Sequence, residues 1–305
     1  MRGDRAFRLV VTAAGIVVLM ILAAITIFLI VEAVPALRAD RANFLTERHW
    51  SPDENPPRFG IAALALGTLM TSVLALLIAL PVSVGTALFL TQYAPRRVSV
   101  PLGYLVDLLA AVPSVVYGLW GLIVLVPHLI PLSAFLADHL GFIPVFASNQ
   151  TYGRSVFAAS LVLSVMVLPI IAAISREVFL TTPVEQVEAA YALGATRWEM
   201  IRTAVLPHGR PGLVSAAVLG LGRALGETIA VALVLSANFD ISVHILTPGG
   251  NTIAANIANA FGDAGTIGRG ALIASGLVLF AFTLVVNLLA RAVIVRHRNT
   301  LGAPR

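Results

Sequence analysis

Six apolar runs, each about twenty residues or longer, constrain the fold of this chain more than any other feature. A helix of that length crosses the hydrocarbon core of a bilayer and satisfies its own backbone hydrogen bonds in lipid. Hydrophobic residues make up 58% of the 305 residues and charged ones only 11%, a balance foreign to soluble domains. The sequence therefore predicts an all-α polytopic membrane protein with six transmembrane helices. The predicted spans are residues 9–31, 61–90, 102–126, 155–174, 212–235 and 270–290.

The distribution of arginines predicts the orientation of these spans. Thirteen arginines lie at the N-terminus, in the loops 91–101 and 175–211 and in the tail, whereas the loops on the other side carry six. Because cytoplasmic loops hold the excess of basic residues, we expect both termini in the cytoplasm, as an even number of spans also requires. The predicted units are an N-terminal anchor with an extracytoplasmic segment at 1–60, a transmembrane domain at 61–290 and a cytoplasmic tail at 291–305.

Two of the predicted extracytoplasmic loops have patterns of their own. Residues 126–154 are rich in proline, glycine and aromatic residues, which favours a re-entrant or interfacial hairpin. The loop 236–269 contains "TIAANIANAF", which predicts a short surface helix.

The absence of two residue types excludes several kinds of chemistry. Without cysteine there is no disulfide, thiolate metal site or cysteine nucleophile. All twenty basic residues are arginine, so a P-loop lysine and Schiff-base catalysis are absent as well. The six histidines are dispersed, so we predict no metal site. The arginines lie between membrane runs, where orientation explains them, and we expect no binding of nucleic acid.

One predicted span, within "GLGRALGETIAV" at 220–231, contains two charges. A charge at the bilayer centre costs about 2.5–3.5 kcal/mol on insertion scales, so these side chains should face something other than lipid. Arg223 and Glu227 are four residues apart, which on a helix places them on one face where they can neutralise each other. Gly222 and Gly226 would let another helix approach closely.

Two interpretations of Arg223 and Glu227 remain open. The first is a buried ion pair that fixes helix register. The second is a pathway for an anion, in which the arginine offsets lost hydration and the glutamate keeps the anion from being trapped. Ser114, beside Pro113, is a further candidate for the pathway, although we expect its hydroxyl to bond back to its own helix instead. Asp107 is expected near the membrane interface rather than as a ligand.

The predicted cytoplasmic loop 175–211 has the pattern of two capped helices. Thr182 to Glu185 form one capping box, with Pro183 at the first helical position, and Gly194 supplies the left-handed residue that ends a helix. Thr196 to Glu199 form a second box, and Pro207 is expected to close the helix that it opens. The predicted apolar faces are Val184, Val187 and Tyr191 on the first helix, and Trp198, Ile201 and Val205 on the second.

Three interpretations of this helix pair compete. It could pack only against its own bundle, or act as a helix-turn-helix on DNA, or dock into a cytoplasmic partner. Residues 183–206 contain three glutamates and two arginines, which suits no phosphate backbone. Docking into a partner is the interpretation we favour.

The segment "EAAYALGATRWEMIRTAVLP" resembles the EAA loop of binding-protein-dependent ABC importer permeases. That resemblance implies a type I permease fold over about residues 61–290, with the loop as the coupling helix that contacts an ATPase subunit. Ala204 stands where the pattern usually has isoleucine, which weakens one contact. The matching positions are Glu188, Ala189, Ala190, Gly194, Leu206 and Pro207.

The segments "VPSVVYGLWG" and "GRALGETIAV" resemble phosphate-uptake permeases of the Pst type, and PstC more than PstA. The resemblance implies a non-catalytic, multi-pass subunit of a bacterial inner membrane, in which Arg223 and Glu227 take part in phosphate passage. It also implies a heterodimer with a PstA-type permease, PstB-type ATPase subunits and a PstS-type phosphate-binding protein. This chain would bind no cofactor, since ATP and Mg²⁺ belong to the ATPase. The alternatives are a permease for sulfate or molybdate, or a secondary transporter or channel without an ATPase.

Overall fold

The computed structural model describes residues 2–149 and 151–300, and most of them are helical. The predicted mostly helical architecture is confirmed. The only strands among the described residues are β1 (Trp50–Ser51) and β2 (Arg58–Phe59), which pair antiparallel in a small hairpin. The helices are α1 (Arg2–Ala39), α2 (Ala62–Leu88), α3 (Arg96–Ala110), α4 (Ser114–Trp120), α5 (Val126–Leu140), α6 (Val156–Leu180), α7 (Val184–Ala192), α8 (Arg197–Met200), α9 (Leu206–Leu225), α10 (Ile229–Val234), α11 (Ile253–Ala260) and α12 (Thr266–Thr300).

Five helical stretches of the described chain are long and apolar enough to cross a membrane. Four of them agree with predicted spans. The remaining one, Ser114–Leu140, runs from the start of α4 to the end of α5. The predicted fifth span, residues 212–235, is instead covered by two helices, because α9 ends at Leu225 and α10 begins at Ile229. The five stretches are Phe7–Ala39, Ala62–Tyr93, Ser114–Leu140, Val156–Leu180 and Thr266–Leu289.

The third predicted span, residues 102–126, is wrong in its bounds. The chain breaks between α3 and α4, where Pro113 disfavours a helical conformation of the residue before it, and then stays helical to Leu140. Residues 126–140, predicted as part of a hairpin, are therefore helix α5. Pro127 is accommodated because the preceding turn, Gly121–Leu125, widens to a π-helical one, in which the Val126 amide donates to the Gly121 carbonyl.

The centre of the molecule is the contact between α2 and α6. Ala75, Ala79 and Ser83 are fully buried at four-residue spacing along α2, and small side chains of this kind let two helices approach closely. The Ser83 hydroxyl donates to the Leu168 carbonyl of α6 at 2.9 Å. Helix α9 joins this centre at Gly220, where a side chain would collide with Ile171 of α6.

Three loops gather at one end of the bundle, which we call the loop end; the opposite end, which carries α7 and α8, is the coupling end. At the loop end, the Asp53 carboxylate accepts from the amides of Gly265 and Gly268, both at 2.9 Å, and so caps the start of α12. The Phe157 amide donates to the Ile245 carbonyl at 2.9 Å, which ties α6 to the loop after α10.

The predicted helix in residues 236–269 exists, but its first half is buried rather than on the surface. Ile253 and Asn256 of α11 are buried, and the Ile253 amide donates to the Thr68 hydroxyl of α2 at 3.0 Å. The apolar residues of α11 are isoleucines and alanines, which composition alone could place either inside or on the surface.

The two ends of the chain pack on one another. Gly270 of α12 lies against α1, where an added side chain would come within 2.8 Å of the Ala36 Cβ. The N-terminal anchor is thus held by the last helix. Residues 291–300 of the predicted tail continue α12 to Thr300, whereas residues 301–305 lie outside the described residues.

Candidate substrate path and coupling surface

Two helix breaks lie side by side within the bundle. The first separates α3 from α4 at Pro113, and the second separates α9 from α10 at Gly226. A side chain on Gly118 of α4 would lie 2.8 Å from the Cα of Ala230 in α10. Three residues on, Gly121 lies against Val162 of α6 and Val234 of α10. Helices α4 and α10 therefore run parallel in close contact, and Ser114, four residues before Gly118, lies level with the break before α10.

Arg223 and Glu227 do not share one helix face, which corrects the prediction. Helix α9 ends at Leu225, so Glu227 lies in the break, and its carboxylate accepts from the Ala230 amide at 3.3 Å at the start of α10. Across the described residues, no ion pair joins the two charges within 4.0 Å. The predicted i, i+4 pairing requires one uninterrupted helix, whereas Gly226 allows α9 to end before Glu227. Glu227 therefore accepts a hydrogen bond at the start of α10, and the Arg223 guanidinium remains available to other partners.

The surroundings of Arg223 place it at the junction of α4, α9 and α10. Its side chain is exposed within this chain, whereas Glu227 is half-buried. The phenol of Tyr117 in α4, next to Gly118, is buried beside this junction. The Tyr117 hydroxyl donates to the Leu109 carbonyl at 2.8 Å and so ties α4 back to α3.

Ser114 is the first residue of α4 and is half-buried. Its hydroxyl makes no hydrogen bond within the part of the chain that the structure describes, so the expected bond back to its own helix is not formed. Because α4 and α10 are parallel and adjacent, this hydroxyl lies at the same level as the break that holds Glu227. Ser114, Arg223 and Glu227 thus belong to one region.

Arg154 secures the other end of α10. Its guanidinium donates to the carbonyls of Leu233 at 2.9 Å and Leu235 at 2.6 Å, and a cation there complements the negative end of a helix. In the sequence, Arg154 counted only toward the orientation of the spans, because its partners lie 79 and 81 residues away. Tyr117 was missed because its partner lies across the helix break at Pro113. Only the glycines at 118 and 121 indicated a close helix contact near Tyr117.

The coupling segment, residues 175–211, has one of its two predicted capping boxes. Thr196 and Glu199 form theirs: the Thr196 amide and hydroxyl both donate to the Glu199 carboxylate, at 2.7 and 2.8 Å, and these bonds lower the pKa of Glu199. The box predicted from Thr182 to Glu185 is absent, because the Thr182 hydroxyl instead donates to the Phe179 carbonyl at the end of α6. Gly194 has a φ of +82°, as its predicted left-handed conformation requires.

The second helix of the pair is not closed by Pro207, contrary to the prediction. Helix α8 passes through a π-helical turn, Ile201–Val205, directly into α9. In that turn the Leu206 amide donates to the Ile201 carbonyl. The wider turn accommodates a proline that has no amide hydrogen, as the turn before Pro127 does.

A small apolar cluster anchors the coupling helices to the bundle. Phe179 of α6, Met200 of α8 and the π-helical residues Ile201 and Val205 are almost fully buried together. The Arg197 guanidinium lies 5.3 Å from the Tyr93 ring centre, which adds a cation–π contact. The anchored side of the pair is thus its Ile201 and Val205 face, although the prediction had grouped these two residues with Trp198 on a face for a partner.

The opposite side of the pair faces outward. Leu193 is 90% exposed, Val184 64% and Trp198 55%, and exposed apolar groups in such a patch mark an interaction surface. Among the residues of the EAA pattern, Glu188, Ala189 and Gly194 are exposed. Ala190 and Leu206 pack on the anchoring cluster, and Pro207 is half-buried. The pattern thus combines exposed positions with positions that hold the loop in place.

An ion pair joins the coupling end to α3. The Arg176 guanidinium of α6 lies 3.2 Å from the Asp107 carboxylate and 3.3 Å from that of Glu177. Gly103 leaves room for this guanidinium, since a side chain at 103 would collide with it. Asp107 is therefore part of a helix contact, in keeping with the expectation that it is not a ligand.

The chain is similar to known proteins in both sequence and fold. The family described as "Binding-protein-dependent transport system inner membrane component" matches residues 79–299. The phosphate transport system permease protein PstC 2 of Mycobacterium bovis is 48% identical over 297 residues, which cover 96% of this chain and 92% of that protein. PstC of Xylella fastidiosa (strain Temecula1) is 42% identical over 305 residues, covering 99% and 93%.

A solved structure shares the fold at low sequence identity. It is that of a bacterial ABC transporter involved in the import of the acidic polysaccharide alginate, with a TM-score of 0.51 and 18% identity. The match covers 75% of this chain and 78% of that one.

Proposed function

The chain belongs to the family of binding-protein-dependent transport system inner membrane components, and on that premise we propose that it is the permease subunit of an ATP-driven importer of inorganic phosphate. The resemblance to PstC permeases predicted from the sequence is confirmed, since proteins of that name align over nearly the whole chain. We place the chain in the bacterial cytoplasmic membrane, and the family description, which specifies an inner membrane component, supports that location.

The topology we propose has six membrane passes. Four are the single helices α1, α2, α6 and α12. The other two are composite: α3 to α5 form one, and α9 with α10 form the other. This order alternates direction at every pass and returns the chain to the side on which it began. The arginine distribution assigns that side to the cytoplasm, so the coupling end is cytoplasmic and the loop end faces outward.

The observation that best supports phosphate as the substrate is the state of Arg223. It is an exposed guanidinium next to two broken helices, without a carboxylate neutralising it inside the described chain. A guanidinium offers several donors in a plane that matches phosphate oxygens. In the proposed pathway Arg223 binds the anion, the Ser114 hydroxyl donates to it, and the negative charge of Glu227 favours its release.

The chain itself hydrolyses nothing in this proposal. ATP and Mg²⁺ are bound by PstB-type ATPase subunits, which contact the exposed side of α7 and α8 around Glu188 and Gly194. A PstA-type permease completes the path as a heterodimer, and a PstS-type binding protein delivers phosphate at the loop end. Breaks in transmembrane helices occur where backbone lines a path or packs on protein, which fits the α4–α10 junction as part of that path.

Competition during uptake tests the substrate class. Cells that lack their own phosphate importers receive this chain with its partner subunits, and the entry of radiolabelled phosphate is measured. We expect saturable uptake that unlabelled phosphate suppresses and equimolar sulfate or molybdate leaves unchanged. Suppression by sulfate or molybdate together with poor phosphate entry would assign the subunit to another oxyanion. Entry that persists without the ATPase subunits would identify a channel or secondary transporter.

A further inference from the structure

A groove between α2 and α9 is separate from the proposed phosphate path. It encloses about 250 Å³ and every side chain that lines it is apolar. All of these side chains are half-buried, so they form the walls of an open groove rather than part of the closed core. They are Leu76, Leu80 and Val84 of α2, with Leu213, Val214, Ala217, Val218 and Leu221 of α9.

The groove opens on a different side of α9 from the phosphate path. Ala217 lies in the groove and Arg223 follows it by six residues, which turns the helix by about 120°. Between these two directions, Gly220 faces Ile171 of α6, so the packed centre of the bundle separates them. A substrate that passes Arg223 therefore does not enter the groove. The open side of the groove faces the outside of the bundle at the depth of the membrane.

Arg210 lies about one helical turn before Leu213, which is the groove residue of α9 nearest the coupling end. It precedes Val214, Ala217 and Leu221 by four, seven and eleven residues, a spacing that puts all four on one side of α9. Seven residues of helix span about 10 Å, so the guanidinium lies roughly two turns below Ala217. Arg210 is exposed, and no carboxylate of the described chain pairs with it within 4.0 Å.

An apolar groove with a single cation at its cytoplasmic end matches the shape and charge of an anionic phospholipid. We propose that the groove binds one such lipid, with an acyl chain along α2 and α9 and the headgroup phosphate on Arg210. The cytoplasmic leaflet supplies anionic lipids, and basic residues at its surface attract them. A zwitterionic lipid has the same acyl chains but no net charge. The groove therefore binds the acyl chain of either lipid, and Arg210 favours the lipid whose headgroup is anionic.

Contact quenching tests both halves of this site. Ala217→Cys can be labelled in a cysteine-free chain, once the partner subunits are also free of reactive cysteines. The complex carries a small thiol-reactive fluorophore at this position, in vesicles of phosphatidylglycerol and phosphatidylcholine. Bromine atoms, which quench on contact, are placed on the chains of only one lipid at a time. Val218→Cys provides a second label in the same groove if Ala217→Cys fails to assemble.

We expect brominated phosphatidylglycerol to quench more strongly than brominated phosphatidylcholine at equal fractions, with an enrichment of roughly fivefold for one basic residue. Arg210→Gln should remove the difference and leave the quenching itself. Arg202→Gln, a matched change of an exposed arginine at the same end, should preserve it. A label unquenched by either lipid would show that the second permease covers the groove and would overturn the proposal. Equal quenching by both lipids with Arg210 intact would overturn the headgroup assignment.

Discussion

At the scale of single residues, Glu227 has two separable properties, a negative charge and a hydrogen-bond acceptor for the Ala230 amide. Glutamine keeps an acceptor oxygen and removes the charge. Without the carboxylate, phosphate at Arg223 loses a repulsive neighbour, which at contact distance in water is worth about 1 kcal/mol, or about fivefold. We predict that Glu227→Gln lowers both the KM and the maximal rate of uptake about fivefold, because release becomes slow.

Initial rates of radiolabelled phosphate uptake over a range of concentrations measure this effect. Glu227→Ala is the informative control, because it removes the acceptor as well and should destabilise the start of α10. Unchanged kinetics in Glu227→Gln would show that the charge has no part in transport.

Gly194 is the residue at which the coupling segment depends most on backbone conformation. Its φ of +82° is one that β-branched residues avoid, at a cost of about 1–2 kcal/mol. Nothing lies within 4 Å of the position that a Cβ would take, so Gly194→Val adds strain without a collision. We predict an inserted subunit that retains less ATPase during purification and loses ATP-driven uptake.

Gly194→Ala and Gly194→Asn provide a graded control for this effect. Asparagine tolerates the left-handed region better than other residues, so retention of the ATPase should follow the order Gly, Asn, Ala, Val. Full retention and full uptake in Gly194→Val would contradict the role of this segment in coupling.

How well single residues can be predicted depends on whether their partners are local. Gly194 and the Thr196–Glu199 box are fixed by neighbours three or four residues away, and both were predicted. Thr182 has two acceptable local partners, and the end of α6 takes its hydroxyl. Glu227 was misplaced because Gly226 ends α9, and whether a glycine ends a membrane helix depends on what packs beside it. Here α4 packs beside α10.

At the scale of elements, the contact of α4 with α10 depends on Gly118. Any side chain there meets the backbone of Ala230 at 2.8 Å, and overpacking of this kind costs about 1–3 kcal/mol. We predict that Gly118→Val separates the two helices and abolishes phosphate uptake. Gly85→Val is the matched control, because Gly85 also lies in a helix and a Cβ there meets nothing within 4 Å.

Uptake and the amount of assembled complex in the membrane are the two measurements for this pair of variants. Gly85→Val should transport normally, apart from the small cost of a β-branched residue in a helix. Transport by Gly118→Val at the rate of Gly85→Val would show that close contact of α4 and α10 is not required.

Two of the predicted spans show the limit of predicting helices from hydropathy. Residues 102–126 and 212–235 are apolar throughout apart from a few charges, so a count of apolar residues predicts one uninterrupted span for each. The structure breaks both, at Pro113 and Gly226, and only the proline is a strong local signal. The proline-rich segment 126–140 was predicted as a hairpin but is helical. A π-helical turn accommodates Pro127, as another accommodates Pro207.

At the scale of the whole molecule, the six-pass topology predicts which loops face which side. Ser242 and Thr203 are exposed at opposite ends of the bundle, and the chain contains no cysteine that would give a background. We predict that Ser242→Cys reacts with an impermeant thiol reagent in intact cells, whereas Thr203→Cys reacts only after the membrane is opened. Asn251, in the same loop as Ser242, is unsuitable because it is buried. The reverse labelling pattern would overturn the orientation derived from the arginines.

The central claim is that Arg223 binds the transported phosphate, and ATP-dependent accumulation in proteoliposomes tests it most directly. The assembled complex, with the binding protein and phosphate outside and ATP inside, is compared for wild type, Arg223→Gln and the double variant Arg223→Gln with Glu227→Gln. We predict accumulation by the wild type alone, with equal complex in every preparation. Accumulation by the double variant near the wild-type rate would contradict the claim, because neutrality at the helix break would then be all that transport requires.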